Sequence, residues 1–248
     1  MLQAPQRTAF SGPTLVRLLA RLADADVPEP AQSLSDRLSQ WLGWTDAIAL
    51  SSALNGNPPA VASRARADVG EAESLCLHAR SALTKSIVGG NARDAAKRSV
   101  LVRTSQDSAM DATVATVDYA DFRQRYLSMQ QAMEMEIGNL RGRLRGMLAA
   151  KSPAMAKLAV VDATMERALG PRERSLLASV PALLAAYFER LRETEQQTLA
   201  DAESSGDTAA VKPGAWLNVF RKDMQSVLLA ELEVRFQPVE GLLAALRS

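Results

Sequence analysis

The stretch that decides the fold is YADFRQRYLSMQQAMEMEIGNLRGRLRGM, residues 119–147. Its apolar side chains recur in alternating steps of three and four residues, which places them along one side of a helix. They are Tyr119, Phe122, Tyr126, Met129, Met133, Leu140, Leu144 and Met147, with Glu136 or Ile137 filling the position between Met133 and Leu140. The sequence therefore predicts a helix of about thirty residues with a coiled-coil-like seam.

Towards the C-terminus, the same periodicity predicts three further helices. Ser152 and Pro153 favour a helix start, because serine caps a helix and proline is tolerated in the first turn. We expect Gly170–Pro171 to end that helix, and Pro181 to kink the next one or mark its start. A polar loop is predicted between Ser204 and Gly214. The last long helix follows, and Pro238 is expected to separate it from a short turn at 242–246.

Towards the N-terminus, proline and glycine clusters divide shorter helices. One helix is predicted from Ser11 to about Ala25, and a second from Ser33 or Ser35 through Ile48, carrying both Trp41 and Trp44. A loop covers 55–70. Helix is expected at 71–88, with a stop at Gly89–Gly90 and a restart at 92–98. Residues 99–103 are a short strand, a helix or a linker, and the absence of a clear partner strand favours the last two.

The composition favours one fold class. Aromatic residues make up 4% of the 248-residue chain, and its 47% of hydrophobic residues are mainly Ala, Leu, Val and Met. Ala, Leu and Met are good helix formers, whereas strands prefer aromatic and β-branched side chains. We predict an all-α, elongated helical bundle of long antiparallel helices without significant sheet. An N-terminal helical subdomain spans 1–55, a linker 56–70 and the bundle 71–248; alternatively, all three form one continuous domain.

Few residues suited to chemistry are present. Cys76 and His78 are the only cysteine and histidine, so no Cys/His set for zinc exists, and two residues of separation point them to opposite sides of a helix. They do not form a nucleophile and base pair. The sequence predicts no enzyme, no cofactor and no metal. It also predicts neither a signal peptide nor a membrane-spanning helix. The presence of only one cysteine fits a cytoplasmic location.

The most unusual local feature is a glycine series, Gly138, Gly142 and Gly146, at four-residue spacing. Each interior glycine costs about 1 kcal/mol relative to alanine, so a close contact or a function is expected to offset it. Small residues four apart form a groove that another helix can approach. A crossing within the chain is favoured; a crossing between chains and a flexible helix are the alternatives.

Local basic segments are the basis of a second hypothesis, although the whole chain carries a net charge of only +1. Arg141 and Arg145 share a helix face while Arg143 points away, so they form no single ridge. The other segment contains Arg93, Lys97, Arg98 and Arg103. Neither has interleaved aromatic residues for base stacking. An ordinary solvated face is favoured over a nucleic-acid interface.

Trp41 and Trp44 are candidate interface residues, because tryptophan often anchors protein contacts. Core packing is favoured for Trp41. Polar neighbours make Trp44 the better candidate for exposure.

Blocks at both ends resemble a family of proteins with a domain of unknown function, of proteobacterial origin. They are RTAFSGPTLVRLL at 7–19, SLSDRLSQWLGWTDA at 33–47 and RFQPVEGLLAAL at 235–246. The resemblance implies no activity and no catalytic residues. It implies a cytoplasmic accessory of an envelope-spanning or motor-like complex, with a coiled-coil membrane protein as partner.

Together these features predict a cytoplasmic helical scaffold or adaptor that binds another helical protein through the long seam, the glycine groove or the tryptophan helix. A nucleic-acid-associated helical protein is the alternative, and a homo-oligomer is left open.

Overall fold

In the computed structural model, the described residues are 13–26, 32–56, 69–103, 117–205 and 214–248, without the side chains of Leu34, 91–103, 203 and 205. Their regular structure is entirely α-helical, so the all-α prediction is confirmed. The helices are α1 (Thr14–Ala23), α2 (Leu34–Trp41), α3 (Trp44–Asn55), α4 (Val69–Arg103), α5 (Tyr119–Lys151), α6 (Pro153–Leu177), α7 (Val180–Ser205) and α8 (Ala215–Arg247).

The core is built around α5 and α8, which pack against each other along their length. Helices α4 and α7 each pack on both α5 and α8, and α6 packs on α5. Buried side chains of α8 include Leu217, Phe220, Val227, Phe236 and Val239. Burial of this stripe holds α8 at the centre, since removing apolar surface from water is the main favourable term in folding.

The predicted seam of α5 faces this core. Tyr126, Met133 and Leu144 are fully buried, and Ile137 rather than Glu136 fills the position that the sequence left open. The seam contacts several helices of its own chain. It is therefore occupied by the fold and does not offer a free surface for a partner.

Side chains at the helix starts fix several boundaries. Ser152 Oγ accepts a hydrogen bond from the Met155 amide at 3.2 Å, and Pro153 follows in the first turn of α6. Asp118 does the same for α5, accepting from the Ala120 amide at 3.0 Å. These caps satisfy amides that have no partner inside the helix.

The prediction of one helix carrying both Trp41 and Trp44 is wrong. Helix α2 ends at Trp41, and α3 begins at Trp44 after extended backbone at Leu42 and Gly43. Asp46 Oδ2 accepts a hydrogen bond from the Gly43 amide at 3.2 Å. This contact stabilises a new helix start, and the two tryptophans lie on different helices.

The helix stops predicted at three proline or glycine sites are also wrong. Helix α4 continues through Gly89–Gly90 to Arg103, so residues 99–103 are helical. Helix α6 continues through Pro171, and α8 through Pro238. An interior proline costs about 3 kcal/mol. At Pro238, the buried side chains of Phe236 and Val239 on either side offset that cost.

The N-terminal helices lie against the bundle. Helix α1 packs on α7 and α8, and α3 packs chiefly on α6. Arg21 of α1 forms an ion pair with Asp223 of α8 at 3.1 Å. The division into 1–55, 56–70 and 71–248 stays a prediction, and residues 57–68 and 104–116 lie outside the described residues.

Candidate protein interface

Helix α3 has the least polar sequence of the short helices, WTDAIALSSALN. Asp46 is its one ionisable residue, and its carboxylate is committed to capping Gly43. A helix that is apolar on all sides is normally buried on all sides. The position of α3 at the periphery, chiefly against α6, therefore leaves apolar surface without cover.

Three of the four larger apolar side chains of α3 point outwards. Trp44 is 82% exposed, Ile48 51% and Leu54 50%. The inward side is made by Ala49, Leu50 and Ala53, of which Ala53 is buried and the other two are half-buried. Most of the large apolar surface of this helix therefore lies on its outward side.

The same outward side has no charged side chain. Between and beside Trp44, Ile48 and Leu54 lie exposed Ala47, Ser51 and Asn55. We call these six residues the α3 outer face. Contiguous exposed apolar surface without charge is characteristic of contact sites.

Trp41 lies in a different environment. It is half-buried, and the Arg172 guanidinium of α6 stacks over its ring at 5.7 Å from the centroid. Trp41 borders a groove of about 700 Å³ between α5, α6 and α8, which Gly138 and Arg141 also line. The structure therefore brings three of the predicted site residues together at this groove and leaves Trp44 outside it.

The glycines of α5 make no close crossing among the described residues. A Cβ added at Gly138, Gly142 or Gly146 would meet no heavy atom within 4 Å. Gly142 and Gly146 are exposed. The favoured prediction, a tight crossing within the chain, is therefore wrong for the described part of the molecule.

Arg141 and Arg145 are held by carboxylates of α6. Asp162 accepts from Arg141 Nη2 and Arg145 Nε at 2.7 Å each, and Glu166 contacts both guanidinium groups. Burial lowers the pKa of Arg145, but the hydrogen bonds to Glu166 and Asp162 outweigh it and leave that pKa raised. These two charges are neutralised inside the chain and do not form a phosphate-binding track.

Arg143 points away from this network and is exposed, as the sequence predicted. The side chains of the other basic segment, Arg93, Lys97, Arg98 and Arg103, lie outside the described residues.

Sequence reasoning missed a buried polar network between α5 and α8. Glu231 is fully buried; its carboxylate accepts from Tyr126 Oη at 2.6 Å, from Gln130 Nε2 at 3.1 Å and from Arg235 Nε at 2.9 Å. Burial, and then the charge of Glu231, raise the pKa of Tyr126. A signal was present, because Glu231 falls on the apolar stripe of α8, where a charged residue needs a partner.

Cys76 lies in a second groove, of about 370 Å³, between α4 and α8. Ion pairs Arg80–Glu240 and Arg247–Glu73, both at 2.8 Å, border it. Burial raises the pKa of the Cys76 thiol, which favours its protonated form. His78 is exposed and points elsewhere.

Two other kinds of site are absent from the described residues. They contain no group of three or more His, Cys, Asp or Glu side chains arranged to hold a metal ion. No helix among them has the length and apolar character needed to cross a membrane.

Residues 1–248 match the model of a family described as Protein of unknown function (DUF3348). The chain belongs to this family. No curated protein and no solved structure matches it. The expected likeness to an unknown-function family is thereby confirmed, while proteobacterial origin stays a prediction. Since membership in DUF3348 brings no activity with it, function is argued from the α3 outer face.

Proposed function

We propose that this DUF3348 protein is a cytoplasmic helical adaptor that binds another protein through the α3 outer face. The partner covers Trp44, Ile48 and Leu54 with an apolar surface of its own. In the cell, the adaptor serves as an accessory of an envelope-spanning or motor-like complex, with a coiled-coil membrane protein as the partner.

The observation that carries the proposal is the 82% exposure of Trp44 on a helix face without charge. Trp is the side chain most enriched among residues that dominate binding energy, because it covers a large area with few rotatable bonds. Ile48 lies one helical turn further on, so the two form a continuous apolar strip. Burial of this strip against a partner contributes to the binding affinity. The neighbouring polar residues Ser51 and Asn55 keep the α3 outer face hydrated before binding.

The charge pattern supports a helical partner. The α3 outer face carries no charge that would recognise an acidic or basic surface. Apolar residues at one-turn spacing match the stripe of a partner helix, as in helix-in-groove recognition. A coiled-coil protein exposes such stripes wherever its own pairing is incomplete.

The nucleic-acid alternative gains no support from the described basic residues. Arg141 and Arg145 are paired with Asp162 and Glu166, and Arg143 is a single exposed charge on that segment. Phosphate recognition needs several cations free to contact the backbone.

The proposal is tested by affinity capture of the tagged full-length chain from its native cell. The paired substitution Trp44→Ala with Ile48→Ala removes the strip. Leu77→Ala with Val88→Ala is the matched control, since Leu77 and Val88 are exposed apolar residues on α4. Circular dichroism melts establish that both variants fold.

We expect the unsubstituted chain and the control to recover the same partner. The Trp44→Ala/Ile48→Ala variant should recover about thirtyfold less, which corresponds to two side chains that each contribute near 1 kcal/mol. Binding of the purified partner to the purified variants must show the same order. Equal binding by all three proteins would overturn the proposal.

A further inference from the structure

Helix α5 has an outer face that none of the described helices covers. It consists of six exposed residues, Ser128, Gln131, Met135, Asn139, Gly142 and Gly146, which we call the α5 outer face. None of them is charged. Met135, near the middle of this 33-residue helix, is 61% exposed.

We infer that the α5 outer face binds the α5 outer face of a second copy of this chain, with the two helices antiparallel. The first ground is charge. Glu136 and Arg143 are both exposed on one edge of this face, seven residues or two helical turns apart. Neither makes an ion pair with another residue in the described part of the chain, so each remains available to a partner of opposite charge.

The antiparallel arrangement pairs these charges twice. When two identical helices pack antiparallel, the same edge of each helix lies beside the other. Glu136 of one copy therefore meets Arg143 of the second copy, and Arg143 of the first meets Glu136 of the second by symmetry. A parallel pair instead sets opposite edges together. Glu136 would then lie beside the other edge of the second copy and not beside its Arg143, so neither charge pair would form.

The second ground is shape. When Glu136 lies level with Arg143 of the second copy, Met135 lies level with position 144, between Gly142 and Gly146 of that copy. The space above both glycines is empty, because a Cβ at either would meet no heavy atom within 4 Å. The Met135 side chain therefore enters a hole made by the two glycines, twice per dimer, and the helix backbones approach closely.

This inference concerns a different face from the proposed function. Helix α3 lies on α6, and its outer face is not part of the α5 contact. Self-association makes the protein a two-fold symmetric body with two α3 outer faces. A chain that binds its partner but remains monomeric would contradict the dimer alone. A chain that dimerises but binds no partner would contradict the proposed function alone.

The test is sedimentation equilibrium of the purified full-length chain over a wide range of concentration. Glu136→Arg alone and Arg143→Glu alone each place like charges opposite one another in the dimer, so each should raise the dimer dissociation constant at least tenfold. Glu136→Arg combined with Arg143→Glu restores both pairs, so dimerisation should return. Arg167→Glu, an exposed charge change on α6, is the control and should leave the constant unchanged.

A further variant tests the fit of Met135 between the two glycines without changing any charge. Gly142→Leu fills the hole that Met135 enters, so it should abolish dimerisation while the monomer keeps its helical signal. A monomer at every concentration for the unsubstituted chain would overturn the inference. So would a dimer that the single charge changes do not weaken, or one that the double exchange fails to restore.

Discussion

Tyr126 of α5 donates its hydroxyl to the carboxylate of Glu231 on α8 over 2.6 Å, and both side chains are fully buried. Arg235 holds the same carboxylate at 2.9 Å and reaches Glu173 of α6 at 3.2 Å. Glu231 thus links α8 to α5 directly and to α6 through Arg235. A buried charge of this kind is tolerated only while its partners remain in place.

Removing Glu231 should therefore destabilise the fold far more than removing the Tyr126 hydroxyl. Tyr126→Phe leaves the carboxylate with two other donors and should lower the free energy of unfolding by about 1.5–3 kcal/mol, the value of a hydrogen bond to a charged group. Glu231→Ala leaves Arg235 buried without its main partner and should lower it by about 3–5 kcal/mol. Urea unfolding measures both, and equal losses would contradict this order.

Alkaline pH should destabilise the protein through its tyrosines. The pKa values of Tyr119 and Tyr187 are raised from 10.0 to about 12, chiefly by burial, and Tyr126 is raised in the same direction. The folded state keeps phenol protons that the unfolded state releases. This contribution to stability is therefore complete below pH 10 and is lost as the pH rises from 10 towards 12.

The urea midpoint at increasing pH measures this loss, and tyrosinate absorbance of the native protein reports the pKa values directly. Tyr187→Phe removes the hydroxyl that donates to Asp223 at 2.6 Å and should make the fall less steep. Tyrosinate absorbance that appears at pH 10 in the native protein would contradict the raised pKa values.

Gly142→Ala should stabilise the monomer by about 1 kcal/mol, because alanine is the better helix former and its Cβ meets no heavy atom within 4 Å. Gly90→Ala is the control at another helical glycine. There the added Cβ would lie 1.7 Å from Nη2 of Arg125, which must move from its contact with the Ile87 carbonyl. Chemical unfolding under monomeric conditions should give a smaller gain, or a loss, for Gly90→Ala. A loss for Gly142→Ala would show that the glycine has a role within the chain.

The two tryptophans Trp44 and Trp216 should respond oppositely to truncation. Trp44→Ala should change the free energy of unfolding by less than about 0.5 kcal/mol, because the side chain is mostly in water. Trp216→Ala should cost about 3–5 kcal/mol, since the ring is buried and packs edge-on against Phe188 with centroids 4.8 Å apart. Thermal unfolding of both variants checks this, and a large loss for Trp44→Ala would mean that α3 packs differently.

The helical class and the buried seam of α5 follow from the sequence, because the period of Phe122, Tyr126, Met133 and Leu144 already defines one face of a helix. The helix stop predicted at Pro238 was wrong because the local preference of proline does not include tertiary burial. Pro238 disfavours a helix by itself, yet Phe236 and Val239 on either side of it are buried against other helices. Such compensation depends on which helices meet, which a single sequence does not state.

The candidate interface was only partly predictable. Exposure of Trp44 was favoured from its polar neighbours, and the structure agrees. That Ile48 and Leu54 point outwards with it could not be predicted, because Gly43 and Asp46 start a new helix and thereby reset which residues face α6. The glycine series was noticed, but the empty space above it depends on where α4 and α6 lie.

Photo-crosslinking from position 44 in the native cell tests the central claim most directly. A photo-crosslinking amino acid replaces Trp44 in the full-length chain, and the same residue replaces Leu77 in the control, since Leu77 is 70% exposed on α4. Binding through the α3 outer face predicts one dominant adduct with a different protein from position 44 and none from position 77. If position 44 yields no adduct, or only adducts with this same chain, while the protein is still captured with a partner, the α3 outer face is not where that partner binds.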